Sequence, residues 1–304
     1  MAVLEKKIDF ALVFSVKNAN PNGDPLSGNM PRITIDDLGE LSDVCLKRKI
    51  RNRLQEMGEN IFVQSDENCN DNHKTLKDRA ENVLGKETMA DAKKLTDKAC
   101  ETWIDVRSFG QLFAFKGDDK DKSDGDGNDD SNAKSKGKSK AKGVSVGIRG
   151  PVSIQSAFSH DPVNITSIQI TKSVSGEGDG TKKASDTMGM KHRVDFGLYV
   201  TYGSINPQLA IKTGFSPEDA NLIKDAILHI FNNDASSARP EGSMEVIQLY
   251  WWEHSSKSGQ YSSAKVHRSL KVALKNESVR PQSADDYNIS IEPLSGLNPE
   301  ILTY

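Results

Sequence analysis

Several features that define common protein classes are scarce or missing in this 304-residue sequence. No apolar run approaches the roughly 20 residues of a membrane span. The first ten residues, MAVLEKKIDF, carry charges where a signal peptide has its apolar segment. The 3 cysteines are far apart and fit neither a zinc pattern nor a disulfide framework. We therefore expect a cytoplasmic protein with reduced thiols, no metal, no cofactor and no membrane partner.

The sequence also lacks an excess of positive charge, since its formal net charge is -3. Any binding to nucleic acid must therefore depend on where the basic residues are placed. Hydrophobic residues make up only 36% of the chain, a low share that long polar insertions explain. The insertion at 117–143 is acidic, then basic, and has no aromatic or large aliphatic residue. It is predicted to be a disordered charged surface loop.

On either side of this loop, the hydrophobic patterns predict an α+β protein. The predicted elements in chain order are a strand at 7–16, helices at 41–57 and 75–103, a strand at 105–115, ordered chain at 144–158, hairpin strands at 165–174 and 191–202, a helix from Ser216 to Phe231, and a last core strand at 244–252. Without the insertions the order is strand, helix, strand, strand, helix, strand. That order predicts a ferredoxin-like fold of the RNA-recognition type.

An RNA-recognition module often stacks bases on aromatic side chains of its sheet. Phe109, Phe113 and Phe115 are the candidates, but alternating aromatic residues in a strand are more typical of a core. We therefore expect any RNA contact to use the RNA backbone and protein loops more than base stacking.

The first motif that carries chemistry is an asparagine-rich turn. It contains Asn18, Asn20, Asn22 and Asp24, and Arg32 follows it. Asparagine side chains and glycine amides can donate to phosphate or 2′-hydroxyl groups, while Asp24 can order the loop or accept from a 2′-hydroxyl. A plain turn rich in Asn, Gly and Pro explains the same residues equally well.

The second motif is a basic stretch of the first predicted helix. Arg48 and Arg51 fall on neighbouring turns of one helix face, where they can clamp successive phosphates, and Lys47 adds a further charge. No acidic residue lies between Asp43 and Glu56. A solvated helix face is the equally weighted alternative.

The third motif surrounds Arg149, which has a glycine on either side within the segment VGIRG. Glycines permit the close approach of another backbone, and Gln155 and Ser156 offer short polar contacts. The plain alternative is a strand followed by a turn.

The fourth motif combines two methionines with cations. Met188 and Met190 stand beside Lys191, His192 and Arg193, which is unusual for an ordinary turn. Apolar side chains at a hairpin tip can wedge between bases while cations hold phosphates. His192 is more typical of a polar contact than of a catalyst.

Taken in order, five segments resemble the backbone subunit of type I CRISPR Cascade complexes, with type I-C as the nearest branch and type I-B next. The segments are Asn20–Pro25, Ser42–Arg51, Asp105–Gly110, Gly150–Ser156 and Met188–Arg193. The likeness runs from about Phe10 to Trp252. The RNA-binding residues predicted from it and from the motifs are Asn18, Asn20, Asn22, Asp24, Arg32, Lys47, Arg48, Arg51, Arg107, Arg149, Gln155, Ser156, Lys172, Met188, Met190, Lys191, His192 and Arg193.

The resemblance implies a right-hand shape and no catalysis. Its parts would be a palm at 1–60, helical fingers at 61–104, a palm strand at 105–116, the loop at 117–143, palm and loop at 144–164, a thumb hairpin and palm strand at 165–202, the second half of the palm at 203–268, and a C-terminal extension at 269–304. Copies would stack as a helical filament along one CRISPR RNA, each thumb displacing a base. The guide would pair with target DNA, and other Cascade subunits would cap the filament.

Two other classes of function remain open. Related type III backbone subunits cut RNA with a metal-bound aspartate, for which Asp24, Asp36 and Asp37 are the candidates here. However, Asp36 and Asp37 precede Leu-Gly and are more typical of a turn. A ferredoxin-like small-molecule enzyme is the other class, but the sequence has no phosphate loop, no Ser-His-Asp spacing and no His/Cys cluster.

Overall fold

The computed structural model describes residues 2–115, 145–171 and 188–304. The predicted disordered loop at 117–143, Lys172 and the tip of the predicted thumb hairpin lie outside these ranges. Within them the chain mixes helices and strands, as predicted. No helix of the described part is long and apolar enough to cross a membrane.

The strands and helices are numbered in chain order. The strands are β1 (Ile8–Ala19), β2 (Gly23–Asp24), β3 (Met30–Pro31), β4 (Leu38–Leu41), β5 (Gly110–Ala114), β6 (Ser145–Arg149), β7 (Val152–Ile154), β8 (Ala157–Pro162), β9 (Ile165–Thr171), β10 (Met188–Ile205), β11 (Met244–Glu253), β12 (Leu270–Leu274), β13 (Tyr287–Ile291) and β14 (Glu300–Leu302). The helices are α1 (Asp43–Glu56), α2 (Leu76–Leu84), α3 (Lys86–Met89), α4 (Ala92–Thr102), α5 (Ile104–Phe109), α6 (Pro207–Thr213), α7 (Pro217–Leu228) and α8 (Ser263–Ser269).

The main sheet is built around β1. Its strands follow the order β14-β11-β1-β10-β8-β4, and β7 and β9 also pair with β10. Leu12 lies opposite Thr201 of β10 on one side and Leu249 of β11 on the other. Because β1 is central and covered on both faces, its first nine residues are all buried.

One face of the sheet is covered by α1 and α7. Phe10, Leu12 and Phe14 of β1 share a core with residues of both helices, including Leu46 and Ile223. Both helices begin at a serine cap: Ser42 caps α1, and Ser216 with Asp219 forms a capping box at the start of α7. Each serine accepts a hydrogen bond from an orphan amide of the first turn.

The opposite face of the sheet is covered by the C-terminal segment, which carries α8, β12 and β13. Ala11 and Val13 of β1, which alternate with the residues above, pack in a separate core with Val266 of α8 and Tyr287 of β13. Tyr250 and Trp252 of β11 belong to the same core. The sheet face opposite α1 and α7 is therefore covered by the chain's own C-terminal segment.

A third core lies beneath α2, α3 and α4. Phe62, Trp103 and Phe113 pack at its centre in tilted arrangements, with the Trp103 and Phe113 ring centroids 4.6 and 5.1 Å from that of Phe62. Phe115 packs at its edge. The core interpretation of the alternating phenylalanines is thus correct for the two that lie here.

The predicted strand at 105–115 is wrong in its first half. Residues Ile104–Phe109 form α5, which ends at Gly110, where φ is 81°. Asp105 is buried, and its carboxylate accepts from the amides of Phe62 and Val63 at 2.8 and 3.1 Å. Only β5 is a strand, and it pairs with β6 outside the main sheet. The apolar alternation came from two different elements on either side of a glycine.

The expectation that 244–252 is the last strand of the core sheet is also wrong. Short β14 pairs with β11 at Leu249–Trp251 and forms the edge of the main sheet. With only three residues, β14 is too short for a hydrophobic pattern to predict it.

The predicted helix at 75–103 is divided into three by Gly85 (φ 84°) and Asp91, which caps α4.

A buried histidine in the C-terminal cover predicts acid sensitivity. His267 Nε2 donates to the carbonyl of Gly203 at 3.1 Å, and burial lowers the pKa of His267 despite nearby Asp9. The unfolded chain, with a histidine pKa of about 6.5, therefore takes up this proton first, so stability falls as pH drops below about 6.5 toward the lower folded value. We expect His267→Gln to flatten the loss of unfolding free energy between pH 7.5 and 5.5 in urea titrations. His160→Gln, which alters an exposed histidine, should leave that loss unchanged. An equal loss in the parent and His267→Gln would contradict this account.

Candidate nucleic-acid interface

The predicted hairpin exists and is exposed on both sides. Its strands pair from Met188 opposite Thr171 to Val194 opposite Ile165. Residues 167–171 and 188–191 are all exposed. Because partners across an antiparallel pair share a face, the register assigns each side chain to one of two faces.

One face of the hairpin is a methionine face, formed by Met188, Met190, His192, Ser167 and Gln169. The two methionines are 63% and 55% exposed, which is unusual for unbranched apolar side chains and leaves them available to a partner. His192 Nδ1 lies 2.8 Å from the Ser167 hydroxyl, so its ring is oriented from the neighbouring strand.

The other face of the hairpin is a cationic face, formed by Ile168, Ile170, Lys191 and Arg193. Lys191 is exposed, and Arg193 approaches Asp195 at 3.9 Å. A hairpin with apolar wedges on one face and cations on the other can contact bases and phosphates together.

The asparagine-rich turn begins beside the root of this hairpin, since Ala19 pairs with Val194. Asn18 is exposed and has a left-handed backbone, with φ of 54°. This conformation shifts the strand's alternation, so that Val16 and Ala19 both reach the main core. Asn18 therefore serves the backbone geometry and leaves its side chain outside.

The other polar residues of this turn hold the turn itself. Asn20 is buried and donates to the carbonyl of Asn29 at 2.8 Å. Asp24 accepts from the Ser27 hydroxyl at 3.0 Å and pairs with Arg32 at 3.3 Å. Of the two roles considered for Asp24, loop ordering is what its contacts support. Arg32 stays partly exposed beside it.

Three of the sequence motifs meet at the N-terminus of α1. Asn22 Oδ1 accepts from the amide and hydroxyl of Ser42 at 3.0 and 2.9 Å. The Ser156 hydroxyl accepts from the amide of Asp43 at 3.3 Å. The turn, the basic helix and the segment after Arg149 therefore form one polar junction. Gln155, the residue before Ser156, is exposed, and so is Arg149 on β6.

The basic run of α1 is compensated by acids, contrary to expectation. Two partners are the flanking acids, and the other two come from distant segments. The pairs are Lys47–Asp43 and Arg53–Glu56 at 3.0 Å, Arg51–Asp105 at 3.0 Å, and Lys49–Asp234. Sequence reasoning missed Asp105 and Asp234 because nothing in the local pattern links them to this helix.

Arg48 and Arg51 are consequently poor candidates for clamping successive phosphates. Arg48 donates to the carbonyl of Val63 at 2.6 Å, and burial together with nearby Arg51 lowers its pKa. Arg51 stacks over Phe109 while it pairs with Asp105, and its side chain is only 14% exposed. Lys47 is more accessible than Arg51, with 27% of its side chain exposed. The contact of these residues with RNA remains a prediction.

Arg107 also has an internal partner. Its guanidinium forms a two-pronged pair with Asp219 at 2.9 and 2.8 Å and donates to the carbonyl of Cys100 at 3.1 Å. Asp219 belongs to the capping box of α7, so this pair ties α5 to the start of α7. The pair of Arg107 with Asp219 is structural, while the contact of Arg107 with RNA remains a prediction.

We expect Arg107→Ala to lower the free energy of unfolding by about 3–5 kcal/mol, because it leaves the Asp219 carboxylate buried without its partner. Urea unfolding in the absence of RNA measures this loss. Adding Asp219→Asn to the same chain should recover part of it, since the unpaired charge disappears. If Arg107 acted only on RNA, Arg107→Ala would leave the stability of the RNA-free protein unchanged.

The three candidate aspartates of the nuclease hypothesis do not form a cluster. Asp24 is paired with Arg32, while Asp36 and Asp37 lie in a turn in which the Asp37 amide donates to the Thr34 carbonyl at 3.1 Å. No group of three or more His, Cys, Asp or Glu side chains suited to a metal occurs in the described residues.

Comparison with known proteins defines the class. The family described as CRISPR-associated protein Cas7 matches residues 6–292, and the chain therefore belongs to the Cas7 family. A CRISPR-associated protein Cas7 from Haloferax volcanii is 25% identical over 232 residues, which cover 75% of this chain. That alignment spans 65% of the Haloferax protein, just under two thirds of its length.

Two solved structures are also similar. A chain of a structure described as a CRISPR RNA-guided surveillance complex, pre-nicking, has a TM-score of 0.42 at 13% identity, covering 81% of this chain and 78% of that one. A chain of a second CRISPR RNA-guided surveillance complex has a TM-score of 0.40 at 14% identity, covering 81% and 68%.

Proposed function

We propose that this chain is the guide-RNA-binding backbone subunit of a CRISPR surveillance complex of the Cascade type. The observation that carries the proposal is the membership in the Cas7 family, whose match extends over the hairpin and every strand of the main sheet except β14. The five motifs resemble the type I-C branch first and type I-B next. In this role the protein holds RNA and performs no catalysis.

The geometry supports an RNA contact made outside the sheet face. The C-terminal segment covers the face on which an RNA-recognition module would stack bases. The exposed methionine face, Lys191, Asn18 and Arg149 remain accessible. These side chains suit a single strand held by its backbone, with apolar wedges between bases.

The strand order supports a ferredoxin-like palm. β11, β1, β10 and β7 are neighbours in that order, α1 lies between β1 and β7 in the chain, and α7 lies between β10 and β11. Strand, helix, strand, strand, helix, strand is the sequence of that fold. The α2–α4 unit would be the fingers and the hairpin the thumb.

In the proposed complex, copies of the chain stack as a helical filament along one CRISPR RNA in the cytoplasm. The guide then pairs with target DNA, and other Cascade subunits close the filament ends. The protein needs no sequence recognition of its own, because base pairing by the guide provides it.

The test is whether the expressed full chain, with its CRISPR RNA, carries nuclease-sensitive RNA of defined length. The absorbance ratio at 260 and 280 nm should indicate nucleic acid. After nuclease treatment, the apparent size in size-exclusion chromatography should decrease. A protein that elutes as a small oligomer without RNA, and gains no RNA when guide is supplied, would contradict the proposal.

A further inference from the structure

Asp195 lies at the root of the hairpin, one residue beyond the last pair between β9 and β10. Both of its carboxylate oxygens accept hydrogen bonds from β9 or the residue before it. Asn164 Nδ2 donates to Oδ2 at 2.5 Å, and the Thr166 hydroxyl donates to Oδ1 at 2.7 Å. The Asp195 amide also donates to the Asn164 carbonyl at 3.0 Å. One side chain thus bridges both sides of the point where the hairpin leaves the sheet.

Two cations from different elements reinforce this bridge. Arg193 approaches Asp195 Oδ1 at 3.9 Å from β10 itself, and Arg280 adds positive charge from the segment between β12 and β13. Although burial opposes it, the hydrogen bonds from Asn164 and Thr166 lower the pKa of Asp195. The carboxylate therefore stays ionised and keeps both acceptors at neutral pH.

We propose that Asp195 is a positioning residue that fixes the direction in which the hairpin leaves the sheet and so holds the methionine face in place on RNA. This inference rests on the proposed function. Residues 167–171 and 188–191 are exposed on both faces of the hairpin, so no core orients these residues. Its direction must come from its root, where Asp195 provides two side-chain acceptors in addition to the ladder of backbone hydrogen bonds.

The first measurement is amide hydrogen exchange of β9 and residues 188–194 in the full chain. With Asp195→Ala we expect exchange about tenfold faster, since two hydrogen bonds of ordinary strength are lost. Asp285→Ala removes an exposed aspartate on the neighbouring segment and should leave these amides unchanged. Unchanged exchange in Asp195→Ala overturns the proposal.

The contribution of the Thr166 bond can be isolated with a double-mutant cycle. Thr166→Val should accelerate exchange in the parent but add little in Asp195→Ala, because the shared bond is already absent. Asp195→Asn keeps an acceptor oxygen and should give intermediate exchange. Fully additive effects of Thr166→Val and Asp195→Ala would overturn the bridge as described.

The second measurement is the affinity of the full chain for single-stranded guide RNA. Asp195→Ala should weaken it about three- to tenfold and Asp195→Asn less, because a hairpin that samples several directions binds only in some of them. Faster exchange with unaltered affinity would overturn the positioning role. Failure of the unaltered chain to bind RNA would instead contradict the proposed function, while hydrogen exchange would still test the bridge.

Discussion

The combined variant Met190→Glu and Lys191→Glu should lower the affinity for guide RNA by about a hundredfold. These neighbouring side chains lie on the methionine face and the cationic face of the hairpin. Stacking of a base on an aromatic side chain contributes about 1–3 kcal/mol, which sets the scale for an apolar side chain between bases. An exposed charge contributes up to about 1 kcal/mol, and reversing it adds repulsion. Titration of the full chain with single-stranded guide RNA at several salt concentrations measures both effects. Losing one phosphate contact should make the slope of log affinity against log salt concentration about 0.7 less steep.

The matched control is Ala92→Glu with Lys93→Glu. These two positions are also adjacent and exposed, but on α4, and they change the net charge by the same amount. Both variants should retain the parent's unfolding free energy, because no buried group is altered. If the control weakened RNA binding as much as the hairpin variant, the hairpin would have no special role and overall charge would explain the result.

The second large effect concerns the C-terminal cover of the sheet. Val266→Asp should lower the free energy of unfolding by about 3–5 kcal/mol, since it removes a buried apolar side chain and puts a carboxylate in its place. Val266 is 0% exposed and packs in the core with Tyr250 and Trp252. Urea unfolding and near-UV circular dichroism would register the loss.

Ala264→Asp provides the comparison, because it introduces the same residue at an exposed position of α8. It should change stability by less than about 0.5 kcal/mol. RNA affinity measured on the folded fraction of Val266→Asp should not rise, although aromatic side chains become uncovered. A clear gain in affinity would mean that the covered sheet face competes for RNA.

Sequence patterns predicted the elements that have both a periodic apolar face and local end signals. α1 and α7 are the clearest, because Ser42 and Ser216 cap their starts and each carries a regular apolar stripe. β1 was predicted from its alternation, but not the left-handed Asn18, which lets the strand continue to Ala19. α5 was missed because its six residues are too few to establish a helical period.

The candidate site was harder to predict than the fold for a physical reason. Whether a cation is available to RNA depends on acids brought beside it by folding, such as Asp105 beside Arg51 and Asp219 beside Arg107. These partners are 54 and 112 residues away in the chain. The exposure of the methionine face does not depend on distant partners, so its residues could be selected from the local sequence.

The central position of β1 has a consequence for how the protein is made. During synthesis β1 leaves the ribosome before its partners β10 and β11, so Leu12 must wait for Thr201 and Leu249. Before β10 and β11 are made, the nine residues of β1 that are buried in the folded protein have no strands to pair with. Such distant pairing slows folding and leaves apolar chain open to aggregation. The basic, capped α1 that follows can form from local contacts, beside a strand that must wait for distant partners.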